Sequence, residues 1–483
     1  MWNKIKKILS NKVILYLVSR YLTFFIQFLS SIYIAIKLGP YYFGVWGFIL
    51  LIISYLSYIN FGVSNSLNIL MVQNKTNKDY VKDFVSNSFL LVGLLSILIV
   101  CLAICYLVFD IKLFEKYDIG NYFYIICIIS ILFHFNSLMG TIYRVKNRLF
   151  ELAFFQSIIP IFIFFVMFVA KGVALLPILL GATLVGHIAS LIIFLKNKKI
   201  PFGGEISVSV SLKLLNKGSY LFIYNVCFFL IILSTRTMIS YFYSVEDFGY
   251  FTFSYTLANA VLLLLQALSI VIFPKIIDKL HSNKNEVIKN IITTLNLNYI
   301  TLSYFLMLTA IIFFPVFLNF TPKYQGTLKV LNLTAITVLL FTNSFGYASH
   351  LMAQNKEKTL SMISLFSLFI NIGISLILIL IFKVSYEYVI ISTLISYLFF
   401  GYCCTIYSNK ISGKKITFLK VIFEFFPVRL LIPYLIAVVL ISINLGHLVF
   451  LALIAFLLFN KKELKQIIIT IKAVVNKPNL VDI

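Results

Sequence analysis

The sequence predicts an all-α polytopic membrane protein: two six-helix lobes, parallel repeats around a central cavity, followed by about two extra C-terminal helices, 12–14 transmembrane helices in all. Composition, loop charge and an internal repeat carry that prediction. Of the 483 residues 61% are hydrophobic and 12% charged, too few polar side chains to cover a water-soluble protein of this size. Apolar runs of roughly 18 to 25 residues recur, each long enough to cross a hydrocarbon core about 30 Å thick as a helix.

In chain order the spans are expected near 13–35, 44–72, 84–109, 121–143, 150–170, 174–195, 219–242, 249–274, 290–316, 327–352, 359–382, 384–407, 428–444 and 446–460. The first follows Lys4, Lys6, Lys7 and Lys12, but it is too long for a signal-peptide core and lacks a small-residue cleavage pattern. The loops then alternate in charge. One side holds 30 Lys and Arg; the other holds seven, namely Lys37, Lys112, Lys116, Lys171, Lys323, Lys329 and Lys383. The remaining three, Arg20, Arg236 and Arg429, lie in or at the edge of spans. The positive-inside rule therefore puts both termini in the cytoplasm of a multi-pass inner-membrane protein, and the net charge of +24 is topological rather than a sign of nucleic acid. All six cysteines fall within spans, where packing is the expected role.

The chain resembles itself at an offset of about 205 residues. "AIKLGPYYFGVWGF" (35–48) aligns with "SYFYSVEDFGYFTF" (240–253), "FNSLMG" (135–140) with "TNSFG" (342–346), "VKNRLFE" (145–151) with "AQNKEK" (353–358), and "KNKKI" (196–200) with "SNKI" (408–411). The unit holds six spans, so both copies enter the membrane in the same orientation, as parallel repeats do. The expected division is a lobe over 1–200, a cytoplasmic linker over 201–218, a second lobe over 219–411, and two accessory spans with a cytoplasmic tail over 412–483. The outward loops are short, and no metal-ligand spacing, phosphate-binding glycine loop or nucleophile–base pairing rises above chance, so no catalytic residue, cofactor or metal is expected.

Arg20 sits on a polar stripe. Tyr16, Thr23, Gln27, Ser30 and Ser31 lie at −4, +3, +7, +10 and +11 from it, one helical face over about four turns. An arginine in mid-membrane costs about 3 kcal/mol or more unless it meets water, an anion or a partner. Snorkelling to the headgroups is the plainer alternative, but the stripe continues beyond snorkelling reach. Adding 205 maps the stripe onto Asn225, Phe228, Ile232, Thr235 and Arg236, so a second arginine falls on the equivalent face of span 7. Asn65, His134, Asn259 and Asn343 are further candidate lining residues, with Gln266 beside them. No Asp or Glu lies inside a span, which suits an anionic substrate better than cation coupling; guanidinium is shaped for bidentate phosphate contact.

The N-terminal "LVSRYLTFFIQFLSSIYIAIKLGPYYFGVWGF" and the "NFGVSNSL" run (60–67), set in two six-span lobes, resemble the Wzx-type O-antigen flippases of the MOP exporter superfamily. The resemblance covers about 1–410. It implies transport, not enzymic chemistry: an undecaprenyl-pyrophosphate-linked oligosaccharide passes from the inner to the outer leaflet of a bacterial plasma membrane by alternating access. It implies a cationic cavity, a role that falls to Arg20 and Arg236 for the pyrophosphate; the stripe and spans offer Thr23, Gln27, Ser31, Asn65, His134, Asn225, Asn259 and Asn343 as polar lining, with helix–helix hydrogen bonding the alternative for the isolated residues Asn65, His134, Asn259 and Asn343. Implied partners are that lipid-linked substrate, membrane lipids, and a polysaccharide polymerase and chain-length regulator. A MATE-like cation-coupled exporter and a membrane polymerase or ligase are the alternatives. Many relatives have 12 spans, so the pair after 427 is a departure.

Overall fold

The computed structural model describes residues 12–109, 112–196, 200–282, 285–413, 417–443 and 445–476. Every regular element among them is helical. Ten helices among the described residues are long and apolar enough to span a membrane, or eleven counting one bent pair. The expected 13–35 span and the first part of the 44–72 span are counted together in one of the ten, Val18–Asn60, across a kink at Gly39. The expected 249–274 span runs into residues 264–297, whose side chains, Gln266 included, lie outside the described residues. The chain divides into two compact units, Lys12–Val226 and Cys227–Ile483.

The first unit begins with α1, Lys12–Ser57, which breaks at Gly39 (φ 71°, ψ 172°). Glycine reaches that backbone region freely, and Pro40 has no N–H to continue the previous ladder, so the "LGP" triplet ends one helix and starts another. A second break differs from the continuous 44–72 span predicted. A 3₁₀ turn at Tyr58–Asn60 leads into Phe61 (φ 44°) and Gly62 (φ 78°) before α2, Val63–Gln73. The Asn60 side chain accepts from the Gly62 N–H at 2.9 Å, a local bond that competes with the helix ladder. A β-carbon at Gly62 would lie 2.6 Å from Cβ of Phe222, so space as well as conformation requires glycine.

Asn77 caps α3, Lys78–Val108, by accepting from the Tyr80 N–H. There follow α4, Phe123–Val145, α5, Leu149–Val166, and α6, Leu175–Lys196. The first helix packs chiefly on α5 and α4. Leu67, Phe84, Val85, Leu138, Ile142 and Leu214 form part of one buried cluster, which draws in the linker helix α7, Val208–Lys217. The linker is also held by polar bonds: the Asn87 amide donates to Glu205 O (2.7 Å) while its carbonyl accepts from Ser207 N and Ser211 Oγ (both 3.0 Å). Gly204 lies so close to Lys82 and Asp83 that a β-carbon would sit 2.3 Å from their backbone.

Helix α8, Ser219–Phe242, carries the chain into the second unit. That unit continues with α9, Val245–Ser282, α10, Asn285–Asn319, α11, Leu328–Leu340, α12, Phe345–Ala353, α13, Glu357–Leu376, and α14, Ile390–Ile411. The "FTNS" segment, 341–344, is 3₁₀ and interrupts the single span predicted over 327–352. The repeat is visible in matching turns. Asn147 (φ 55°) and Asn355 (φ 54°) are left-handed, and the following Arg148 and Lys356 N–H groups reach back to Tyr143 O and Leu351 O, both at 2.9 Å. Asparagine tolerates this region better than most residues, so two helices end by the same device 208 positions apart.

The expected accessory spans are short: α15, Phe418–Phe425, bends by 74° into α16, Val428–Ser442, and α17, Phe450–Phe459, is followed by α18, Lys461–Asn476. They pack on α10 and α11.

Candidate functional site

Within the first unit the predicted stripe separates into a buried and an open row. Tyr16 is buried and donates to Gln156 Oε1 at 3.2 Å; Thr23, also buried, lies 2.6 Å from Ser157 Oγ and donates to Ser19 O. These bonds pin α1 to α5. Ser30 is buried as well. Arg20 is half-buried, its guanidinium 4.4 Å above the centroid of the Phe24 ring. Its buried Nε has no hydrogen-bond partner among the described residues. Gln27 is exposed, and Ser31 is half-buried with its hydroxyl bonded to Gln27 O. The Phe24 ring supports the guanidinium without neutralising its charge.

In the second unit Arg236 is 8% exposed and lies over two rings, Phe248 at 5.8 Å and Tyr255 at 5.3 Å. Next to it in sequence, Thr235 enters a cluster that sequence reasoning did not single out. The Asn371 amide donates to Ile231 O (2.8 Å), Ser234 Oγ (2.8 Å) and Thr235 Oγ1 (3.0 Å). Thr235 Oγ1 is 2.7 Å from Thr393 Oγ1, whose hydroxyl also reaches Asn371 Oδ1, and Ser375 donates to Ser392. The available signal was Ser364, Ser367, Asn371 and Ser375, a polar row at three- and four-residue steps in an apolar helix.

The other candidates fall into two groups. Asn65, Asn225 and Asn259 are half-buried within their units. Thr23, His134 and Asn343 are 3%, 2% and 0% exposed within their units. His134 Nε2 sits 3.1 Å from Leu56 O, at the end of α1, and Asn343 lies beside the equally buried Tyr304. Thr23 and His134 make interior hydrogen bonds, a common use of a polar residue between membrane helices. Arg429, the third arginine marked by the sequence, donates to Thr301 and Asn460 and pairs with Glu463 at 3.5 Å, joining α16, α10 and α18.

The two helical units have the fold of the MOP exporters. A multidrug resistance MATE family transporter of the MOP superfamily in its inward-facing conformation superimposes with a TM-score of 0.67 at 11% identity, over 83% of this chain and 98% of that one. The lipid II flippase MurJ, in an inward closed conformation, gives 0.66 at 16% identity over 93% and 99%. Residues 9–281 match the sequence profile described as Polysaccharide biosynthesis protein, and the chain belongs to that family. No curated protein matches it in sequence.

Proposed function

We propose that the protein is a flippase that moves an undecaprenyl-pyrophosphate-linked O-antigen unit, or a similar surface-polysaccharide repeat, from the cytoplasmic to the periplasmic leaflet of the inner membrane by alternating access, with both termini cytoplasmic. The observation that carries this is an arginine over an aromatic ring within an apolar helix of each unit, Arg20 over Phe24 and Arg236 over Phe248 and Tyr255, in a polysaccharide biosynthesis family member. An aromatic face tolerates a guanidinium without neutralising it, and guanidinium is shaped for phosphate oxygens.

In this reading Arg20 takes the pyrophosphate first, Gln27, Ser31, Asn65, Asn225 and Asn259 meet the sugar, the polyprenyl tail stays in lipid, and Arg236 receives the phosphates as the units rock. Carrying about two negative charges toward a positive exterior is favoured by about 2.3 kcal/mol per charge per 100 mV, so the membrane potential supplies a driving force. Flipping of lipid-linked oligosaccharide in proteoliposomes tests both parts. Arg20→Ala and Arg236→Ala should each lower the rate at least tenfold at equal protein, and an inside-negative potential should accelerate outward flipping. Full rates in both variants would sink the phosphate assignment; indifference to the sign of the potential would sink the driving force.

A further inference from the structure

The first unit carries a slot that the proposed transport path does not use. It lies between α5 and α6, has a volume of about 270 Å³, and is lined chiefly by Phe150, Glu151, Phe154, Phe155, Ile193 and Phe194. The two helices are close at Gly186, where a β-carbon would meet Ile159 Cγ1 at 2.8 Å, and the slot opens on the side of that contact nearer Phe150 and Phe194. Its floor is rigid: Phe194 stands 4.6 Å from both Tyr143 and Phe155, ring centre to ring centre. Its rim is open, with Phe150 63% and Phe154 49% exposed. None of the lining residues belongs to α1, the helix of Arg20.

The open end meets a basic turn. Asn147, left-handed, reverses the chain between α4 and α5 and sets the exposed Lys146 and Arg148 at the head of α5, while Lys196 closes α6 at the same end. Arg148 Nη1 lies 3.6 Å from Glu151 Oε1 at the slot's rim. Partial burial and then the adjacent Arg148 hold the Lys146 ammonium below its ordinary range. Lys146, Arg148 and Lys196 thus lie at the end of α5 and α6 where Glu151 lines the slot, the charge and polarity order of an anionic amphiphile.

We propose that this slot binds an anionic glycerophospholipid of the adjacent leaflet, one acyl chain between α5 and α6 and its phosphate on Lys146 and Arg148. The lipid is a resident one and not the transported substrate, since the slot is built without any residue of α1.

The test is photolabelling of the full-length protein, purified in a zwitterionic-lipid nanodisc, with phosphatidylglycerol bearing a photoreactive acyl chain. Label is expected on the peptides containing Phe150–Phe155 and Ile193–Phe194. Unlabelled phosphatidylglycerol should compete about tenfold better than phosphatidylcholine of the same chains. The Lys146→Gln/Arg148→Gln pair, both exposed positions, should cut labelling about tenfold, and Ile193→Trp, which fills the slot and keeps the cations, should abolish it. Glu151→Gln releases Arg148 from its carboxylate and should raise labelling two- to threefold. Equal competition by phosphatidylcholine, or undiminished label in the double variant, would overturn the proposal. Stronger competition by undecaprenyl phosphate would also overturn it and give the slot to a polyprenyl lipid instead.

Discussion

Arg20 and Arg429 look alike in the sequence, single arginines in or beside apolar spans, yet their surroundings are opposite. Arg429 is tied to Thr301, Asn460 and Glu463, which neutralise it and bind three helices together. Arg20 has the Phe24 ring beneath it, and its Nε, like Nη2 of Arg429, meets no described acceptor. A membrane helix tolerates an arginine when it is paired within the protein or supported by other groups, and spacing alone does not separate the two. Arg236, buried against two rings beside the Asn371 cluster, resembles Arg20 in its aromatic support and Arg429 in its enclosure.

Substitutions sharpen this contrast. Arg429→Ala leaves Glu463 and Asn460 without their cation and should destabilise the C-terminal helices by about 2 kcal/mol, read by thermal unfolding in micelles, with transport per folded molecule unchanged. Asn371→Leu removes several membrane-buried hydrogen bonds, each worth about 0.6 kcal/mol, and should destabilise the protein by nearly as much. Arg20→Ala should do the reverse of Arg429→Ala: a tenfold slower rate, equivalent to about 1.4 kcal/mol, with an unfolding midpoint close to that of the parent. If Arg20→Ala unfolds the protein while Arg429→Ala slows it, the roles are exchanged and the contrast fails. The smallest effect belongs to Thr23→Val, which gives up the bond to Ser157 and should destabilise by about 0.6 kcal/mol.

The helical class, the two-lobe plan and the repeat were legible because apolar length, loop charge and motif order are one-dimensional signals. The breaks were less so. "LGP" announces its own, since Gly39 and Pro40 act locally. The interruption at Asn60–Gly62 depends partly on Phe222, about 160 residues away, and the 3₁₀ turn at 341–344 falls on a motif whose counterpart, 135–140, is regular helix. The polar stripe of α1 was found as a stripe, but its division depended on α5: Gln156 and Ser157 draw in Tyr16 and Thr23, and Arg20 and Gln27 stay more open. Asn371 was overlooked because its partners come from α8 and α14, distant in sequence and adjacent only after folding.

The docking of residues 204–211 on Asn87 and Ser86 bears on how the protein is made. A ribosome releases the chain in order, and once α8 begins to emerge the first unit already possesses every partner for its own closing strap. The two halves can therefore mature one after the other, the first settling before the second is synthesised, which shortens the time that unpaired polar faces such as those of α1 spend against lipid.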